Sequence, residues 1–254
     1  GPVLLEIMDS SGKLVRRFSS TDPVPLPDAQ LAIPEYWLRP YQGLSSAAGF
    51  HRFVWDMHYT PVPGIKPDYP ISAVAHNTAP ASTSPWIMPG KYTVVLAVGG
   101  QKFTQPLTVE MDPRVKTSLA DLQKQFELSN EVYQDLMTLQ PVVDRADAIR
   151  EQLKAMQAKA SPADKAKIEA ASKELAGVAG GGGRRRRRGQ QQAENLSGVQ
   201  GQLMQMFSTL QDADQAPTSQ AIAAVAKVHQ STETVLQQWK EFVSEDLVPL
   251  KIQQ

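Results

Sequence analysis

Cysteine is absent from this 254-residue chain, which excludes disulfide bonds, thiolate metal sites and cysteine nucleophiles. Net charge is absent too, because 26 lysines and arginines balance 26 aspartates and glutamates. The molecule as a whole therefore has no field that draws it to nucleic acid or to an anionic membrane, and any such attraction must be local. No apolar run approaches the roughly 20 residues that span a bilayer.

Residue usage changes sharply near residue 115. Fifteen of the 19 prolines lie at or before Pro113, and three of the four tryptophans precede it as well, whereas alanine, glutamine, lysine and glutamate dominate the remainder. A change of this kind predicts two domains. We place a domain of strands and loops at residues 1–115 and a helical domain at residues 116–254, with a Gly/Arg-rich linker at 179–192.

Two β-hairpins are predicted in the N-terminal half. VLLEIMD and KLVRRFS flank a polar SSG turn, and KYTVVLAV and QKFTQPLTVEM flank Gly99-Gly100, where glycine permits the positive φ of a tight turn. Between the hairpins lies GFHRFVWDMHY, residues 49–59, in which Phe53, Trp55 and Met57 alternate with the other residues as in a strand. The pattern predicts that Trp55 is a core aromatic in an immunoglobulin-like antiparallel β-sandwich.

A Pro-rich loop runs from Thr60 to Pro89. A loop of about thirty residues is unusual unless it packs on the surface or binds something. A second aromatic segment bounded by prolines, PEYWLRPY, occupies residues 34–41. We expect these two segments to cover a neighbouring domain or a sheet edge.

GFHRFVWDMHY, followed by PGKYTVVLAVGGQKFTQPLTVEMDPRVKTSLADLQKQFEL, resembles the C-terminal region of large secreted bacterial BNR-repeat, sortilin-like propeller proteins, which are often labelled glycosyl hydrolases. The β part also resembles the immunoglobulin-like domain of flagellar hook-capping proteins, in which a strand ending in Trp-Asp precedes a Gly-x-Tyr-x-Val strand. The matching residues here are Trp55, Asp56, Pro89, Gly90, Tyr92 and Val94. Propeller repeats are missing from this sequence, and the insertion between Thr60 and Pro85 is longer than in the family pattern.

The resemblance, over roughly residues 1 to 140, implies a secreted or periplasmic protein. It implies a non-catalytic accessory or interaction region that serves docking, stabilisation or assembly, with a propeller domain of the same parent protein or another protein as its partner. The alternative is that the chain contributes loop residues to a glycoside hydrolase-like active site of the parent. Such a site needs two carboxylates, and Asp56 and Asp68 are the candidates on the loop side.

From Ser118 the apolar period becomes 3.6, which predicts helices. Ser118 and Asp121 form a capping box, and Pro141 is expected to kink or break the first helix near Leu139. Its stripe comprises Leu119, Leu122, Phe126, Ser129, Tyr133, Leu136, Gln140 and Val143. A second helix begins at the N-cap Ser161. The stripe of the third is Leu196, Val199, Leu203, Met206 and Leu210, and that of the fourth is Ile222, Val225, His229, Thr232, Leu236, Trp239 and Val243.

Four helices with short or flexible links predict an up-and-down bundle. Because the stripes are rich in alanine and glutamine, the core is thin, and a partner that completes it is a second hypothesis. The fold class is thus α+β, an immunoglobulin-like sandwich followed by a helical bundle.

Candidate catalytic chemistry is sparse. Asp56 and His58 could form half of an acid/base pair, but no serine in a strained elbow accompanies them. The four histidines, His51, His58, His76 and His229, lack metal-type spacing, so no zinc site is expected. His229 is interpreted as a partly buried residue hydrogen-bonded to a neighbour. We therefore expect no catalytic, cofactor-binding or metal-binding residue.

One charge run remains, in GGGGRRRRRGQQQ at residues 180–192. Its arginines are Arg184, Arg185, Arg186, Arg187 and Arg188. They could bind a polyanion by counterion release, or they could lie in a solvated linker whose like charges keep it extended. The linker interpretation is favoured because no aromatic residue is interleaved to stack on bases.

Overall fold

The computed structural model describes residues 1–24, 31, 33–66, 68–72, 74–180 and 194–247. The elements of these residues are the strands β1 (Leu4–Met8), β2 (Leu14–Ser19), β3 (Gly90–Val98) and β4 (Gln101–Val109), then the helices α1 (Leu119–Lys159), α2 (Pro162–Ala179), α3 (Leu196–Gln211) and α4 (Ser219–Phe242). A short 3-10 turn, Glu35–Trp37, precedes β3, and a π-helical turn, Val243–Leu247, follows α4. The fold class is α+β, as the sequence predicted.

The four strands form one antiparallel sheet in the order β2-β1-β3-β4. Both predicted hairpins are confirmed. Gly99 and Gly100 have φ values of 57° and 81° in the β3–β4 turn, a conformation that glycine adopts without steric cost. In the β1–β2 turn the Asp9 carboxylate accepts hydrogen bonds from the Ser11 and Lys13 amides, each 2.9 Å long. This local network acts together with Gly12, which has a φ of 83° in the same turn.

One face of the sheet carries the apolar core of the N-terminal half. Its buried residues are Ile7, Val15, Ile87 and Tyr92, and around them pack Phe18, Trp55, Tyr59, Leu107 and Val109. Val15 reaches this core through a β-bulge, since Ile7 pairs with Arg16 and Met8 pairs with Leu14, which leaves Val15 as the extra residue. Within the described residues this sheet has no second sheet stacked on it, so the other layer of the predicted sandwich is not seen there.

Strand β4 forms one edge of the sheet. Pro106 lies opposite Thr93 in an unbroken register with β3. Alternate residues of β4 point their backbone N–H groups away from β3, towards the open edge of the sheet. Because proline has no N–H, Pro106 can occupy only one of these outward positions, and there it leaves a gap in the series of free N–H donors. Lys102 stands on the same outward set, four residues earlier. Proline and lysine at these positions disfavour edge-to-edge pairing with another strand.

Helix α1 runs unbroken through Pro141 for 41 residues. The predicted break near Leu139 is therefore wrong. Pro141 is exposed, whereas Leu139 and Val143 on either side are buried. The carbonyl that loses its helical donor therefore belongs to the solvent side of the helix, and burial of the apolar residues before and after the proline keeps both halves in register.

The predicted stripe of α1 is buried except for Leu119, which is exposed, and Phe126, which is half-buried. Its two polar members are satisfied from α3. Gln211 Nε2 donates to Ser129 Oγ over 2.8 Å, and Gln200 Nε2 donates to Gln140 Oε1. These pairs explain how polar residues occupy buried positions of the stripe. Of the predicted capping box, the N-cap bond is present, with Ser118 Oγ accepting from the Asp121 amide; the Asp121 carboxylate accepts from the Ser118 hydroxyl rather than from its amide.

The start of α2 agrees with its predicted cap. Ser161 accepts from the Asp164 amide at the start of α2, and Pro162 is its first residue. Helix α3 buries its predicted stripe apart from Met206, which is half-buried, and adds Phe207. Helix α4 packs against α2 and α3.

The buried face of α4 is rotated from the predicted one. Its buried residues are Val225, Val228, Ser231, Thr232, Val235, Trp239 and Phe242. Of the predicted stripe, Ile222 is exposed, while His229 and Leu236 are half-buried. Both sets of residues obey helical spacing. Which set is buried therefore depends on the side chains that the other helices place against α4.

The chain forms two compact units. The first comprises Gly1–Pro61, Ile65–Phe126 and Asp214–Ala216, and the second comprises Val62–Gly64, Glu127–Ala213 and Pro217–Gln254. We call them the sheet unit and the helical unit. The first turns of α1 belong to the sheet unit, where Phe126 lies against Tyr59 with 5.8 Å between ring centroids. The boundary at residue 115 stays a prediction about which fragment folds alone.

The rotated face of α4 is testable with two neighbouring residues. Val235→Ala removes a fully buried side chain and should lower the free energy of unfolding by about 2 kcal/mol. Leu236→Ala removes more carbon from a half-buried position, yet it should cost less. Urea denaturation followed by helical circular dichroism measures both. If Leu236→Ala lowered the free energy of unfolding more than Val235→Ala did, the predicted stripe through Leu236 would be the buried one.

Candidate functional site

Residues 49–59 do not form the predicted strand. Phe53 and Trp55 are half-buried and Arg52, Val54 and Asp56 are exposed, as a strand would have them, but the alternation then breaks. Met57 has a φ of 59°, in the left-handed region that side chains other than asparagine and aspartate rarely adopt. Because of this turn Met57 faces outward and His58 faces inward.

His58, predicted to lie on the outer side with Asp56, is instead 7% exposed. Its ring stacks on Trp86 with 3.8 Å between centroids, and the two residues form an antiparallel β-bridge. Its Nδ1 lies 2.8 Å from the Asp56 carbonyl oxygen. Since a carbonyl oxygen only accepts, Nδ1 carries the proton of the neutral ring.

The backbone around His58 is held by hydrogen bonds from residues 85–87. Tyr59 N–H donates to the Pro85 carbonyl and Ile87 N–H donates to the Met57 carbonyl, at 3.0 and 2.9 Å. Trp55 Nε1 donates to the His58 carbonyl at 3.1 Å. We call His58, Trp86 and Trp55, with the backbone that joins them, the His58 cluster. Its bonds make it a wall of the apolar core.

Two side chains converge on the next carbonyl. The Tyr59 oxygen accepts from Arg16 Nη1 at 2.6 Å and from Ser84 Oγ at 2.7 Å. The Arg16 guanidinium also lies over the Phe18 ring, 4.9 Å from its centroid, a cation–π arrangement. Phe18 in turn meets Phe53 edge to face, with centroids 4.7 Å apart. The polar contacts therefore fix the segment rather than leaving a group free for catalysis.

Burial lowers the pKa of His58 below the usual 6.5, although the Asp56 carbonyl and carboxylate oppose the shift. The positive charge of Arg16 lowers it further. A histidine in this setting is neutral at pH 7. Among the described residues no hydrogen bond reaches its Nε2, and the 7% exposure leaves little room for a substrate proton to arrive there.

The two carboxylates proposed for the hydrolase alternative have local partners. Asp56 Oδ1 accepts from the His58 amide at 3.2 Å. Asp68 Oδ1 accepts from the Tyr69 amide at 2.8 Å, and its carbonyl accepts from the Ala81 amide. Each carboxylate thus shapes its own loop, and no contact of the described residues joins one to the other.

The helical unit holds a second polar pair, and the interpretation of His229 is confirmed. Its Nδ1 lies 2.9 and 3.0 Å from the two carboxylate oxygens of Asp135. Asp135 is nearly buried, with 11% of its side chain exposed, while the His229 side chain is 44% exposed. The pair ties α4 to α1, and neither α1 nor α4 places a nucleophile beside it in the described contacts.

The remaining predicted residues are dispersed. His51 Nε2 donates to the Ala47 carbonyl at 2.8 Å, and His76 sits in a left-handed turn at a φ of 52°. Searched over the described parts of the chain, no three histidine or acidic side chains converge to hold a metal ion. Arg184 to Arg188 lie outside the described residues. No described helix is long and apolar enough to cross a bilayer.

A group of outward apolar side chains accompanies the His58 cluster. Phe50 is fully exposed, and Val54, Met57 and Trp86 are about half exposed. We call these four residues the apolar rim. The sequence pattern of residues 49–59 did suggest alternation, but Trp86 was missed because it lies in the Pro-rich loop without any period. The one local indication of its role was the position of this tryptophan directly after Ser84-Pro85.

Comparison with known proteins gives no relatives: no family model matches the chain, and no curated protein or solved structure matches it either. The role of the protein has therefore to be inferred from its own residues.

Met57 provides a test of the turn that builds the cluster. Met57→Gly relieves the left-handed strain and should leave stability unchanged or raise it by up to about 1 kcal/mol. Met57→Val should lower it by roughly 1–2 kcal/mol, because a β-branched side chain is strained at positive φ. Thermal denaturation of the two variants decides the matter. In an extended strand the order would reverse, since valine favours strands and glycine weakens them.

Proposed function

We propose that this chain is a non-catalytic interaction region of a larger secreted or periplasmic protein, and that it docks on or stabilises a propeller domain of that protein. The observation that carries the proposal is the apolar rim. Soluble proteins rarely expose several large apolar side chains close together unless the surface binds a partner. Here Phe50, Val54 and Met57 lie within eight residues of one another, and the β-bridge from His58 attaches Trp86 to the same segment.

The rim is held in place rather than left to fold inward. The left-handed Met57 turns its own side chain to solvent, and the bond from Ile87 N–H to its carbonyl fixes that turn. A surface fixed before binding loses little conformational entropy when a partner arrives. Large apolar and aromatic residues such as phenylalanine, methionine and tryptophan are also those enriched at interface centres.

We further propose that the sheet unit is an immunoglobulin-like sandwich in which residues 53–59 and 85–87 serve as the second layer. The covering of Ile7 and Tyr92 by Trp55 and Ile87 supports this assignment. For the helical unit we propose an up-and-down bundle, supported by the short α1–α2 link and by the packing of α4 on α2 and α3. The resemblance of residues 1 to 140 to sortilin-like propeller proteins supplies the partner class in this proposal.

Docking is tested with the propeller domain that this proposal expects in the same parent protein. A double variant, Phe50→Ser with Val54→Ser, should weaken binding of this chain to that domain by tenfold or more, because it removes two exposed apolar anchors without touching the core. Isothermal titration calorimetry with both proteins purified separately gives the dissociation constants.

Ile222→Ser is the matched control. Ile222 is likewise an exposed apolar residue, 39% accessible, but it lies on α4 in the helical unit, so its variant should bind as the unchanged chain does. Equal affinity of the double variant and the control would contradict a role for the rim. A gene that encodes no propeller would remove the proposed partner altogether.

The hydrolase alternative has its own test at Asp56. Asp56→Asn keeps an oxygen that can accept from the His58 amide and keeps the backbone carbonyl that holds Nδ1, so folding should be preserved. If this region is non-catalytic, turnover of glycosides by the parent protein should be unchanged in the variant. Loss of turnover with an unchanged melting temperature would move Asp56 into an active site and overturn the accessory role.

A further inference from the structure

Two histidines, one in each compact unit, bond through the same ring atom to acceptors of different charge. His58 Nδ1 faces a neutral backbone carbonyl, that of Asp56, whereas His229 Nδ1 faces the carboxylate of Asp135. A carbonyl is served equally well by the neutral ring, but a carboxylate is stabilised by a positive one. The surroundings differ as well, because His58 is 7% exposed and the His229 side chain is 44% exposed.

Protonation of His58 has to occur at Nε2, since Nδ1 already carries its hydrogen. That atom has no hydrogen-bond acceptor among the described residues, and the ring is sandwiched against Trp86 in the wall of the core. The charged groups that act on it are the Asp56 carboxylate, from its own segment, and Arg16, from β2. A new buried cation there would lack a partner at Nε2, which is costly.

Protonation of His229 is favourable by the same criteria. Its Nδ1 donates to both oxygens of a carboxylate on α1, and its Nε2 lies 3.9 Å from Glu233 Oε1 on α4 itself. Glu131 on α1 also acts on the ring. On the side of α3, the nearest described charge bonded to α4 is Glu194, which accepts from Ser231. The groups that face His229 are therefore acidic.

We propose that the chain contains an opposed pair of pH-sensitive contacts, so that acidification loosens the sheet unit at the His58 cluster and tightens the α1–α4 contact of the helical unit at His229. The two contacts share no residue, so each unit responds by itself. The effect would redistribute stability along the chain rather than raise or lower it as a whole.

The sign of each effect follows from linkage between proton binding and folding. Burial lowers the folded pKa of His58 below 6.5, so its contribution is complete above pH 6.5 and is lost as pH falls towards the lowered value. The Asp135 hydrogen bond raises the folded pKa of His229 above 6.5. Its contribution is therefore complete below pH 6.5 and is lost as pH rises through the raised value.

Asp135 acts in the same direction as His229. Burial raises its pKa above the usual 3.8 even though the bond from His229 lowers it. The folded helical unit consequently binds a proton at Asp135 more readily than the unfolded chain does, and its stability falls as pH rises above 3.8 towards the raised pKa. The window of this carboxyl lies at the acid end, and within it protonation of Asp135 removes the negative charge that stabilises the His229 cation, so the two contributions are not additive.

The direct test is a proton NMR titration of the four histidine rings in the full chain. The His58 ring, identified by its contact with the Trp86 indole, should titrate with a midpoint below 6.5, and the His229 ring should titrate above 6.5. No substitution is needed, so the test does not depend on a variant that folds. A His58 midpoint at or above 6.5, or a His229 midpoint at or below it, overturns the proposal.

Amide hydrogen exchange then measures how the stability of each unit changes with pH. After correction for the chemical exchange rate, a change from pH 7.5 to 5.5 should lower protection of peptides covering 55–59 and 86–96 and raise that of peptides from α1 and α4. His58→Gln should abolish the first response alone, and His229→Gln the second alone. His51→Gln, which removes a surface ring seven residues from His58, should leave both. Responses of the same sign in both units contradict the proposal.

Discussion

The apolar face of the sheet is closed by residues 57–59, which pair with residues 85–87 through two backbone hydrogen bonds. Of the side chains in this core, those that do not come from the strands, Trp55, Tyr59 and Ile87, are attached to that pairing. Trp55 is tied to it through the His58 carbonyl, and Ile87 is part of it. Because the described sheet has only four strands, each side chain supplied by this pairing accounts for a large share of the buried area. Met57 has to adopt a strained left-handed conformation so that this short segment can form the pairing, and that strain is the conformational cost of the pairing.

The sequence predicted those features that depend on a few neighbouring residues. Gly99-Gly100 requires only the local rule that glycine tolerates positive φ, and Ser161 with Pro162 requires only the chemistry of a helix start. Asp9, which organises the first turn through its carboxylate, was not singled out, although its position before Ser-Ser-Gly is typical of such turns. Local chemistry therefore fixed where hairpins and helices begin, independently of how they pack.

Features that depend on distant residues could not be predicted in the same way. Met57 is a poor residue for a left-handed turn, and a sequence pattern assigns it to a strand; the amide of Ile87, thirty residues later, is what holds it there. The face of α4 is a similar case. Stripes through Val228 and Val235 or through His229 and Leu236 fit the helical period equally well. In the structure Val228 and Val235 are buried, whereas His229 is half-buried and bonds Asp135 on α1.

A chain with no net charge and no described cluster of metal ligands still has strongly directional electrostatics. The acceptors that matter are a backbone carbonyl at His58 and a carboxylate at His229, and neither choice is visible in composition. Burial then decides how strongly each acceptor acts, because a charge is stabilised or penalised most where water is excluded. Two residues of one type thus acquire opposite responses to pH from packing alone. The binding function that we propose would use the outer surface that such packing leaves exposed, namely the apolar rim, in which the Trp86 ring lies against His58.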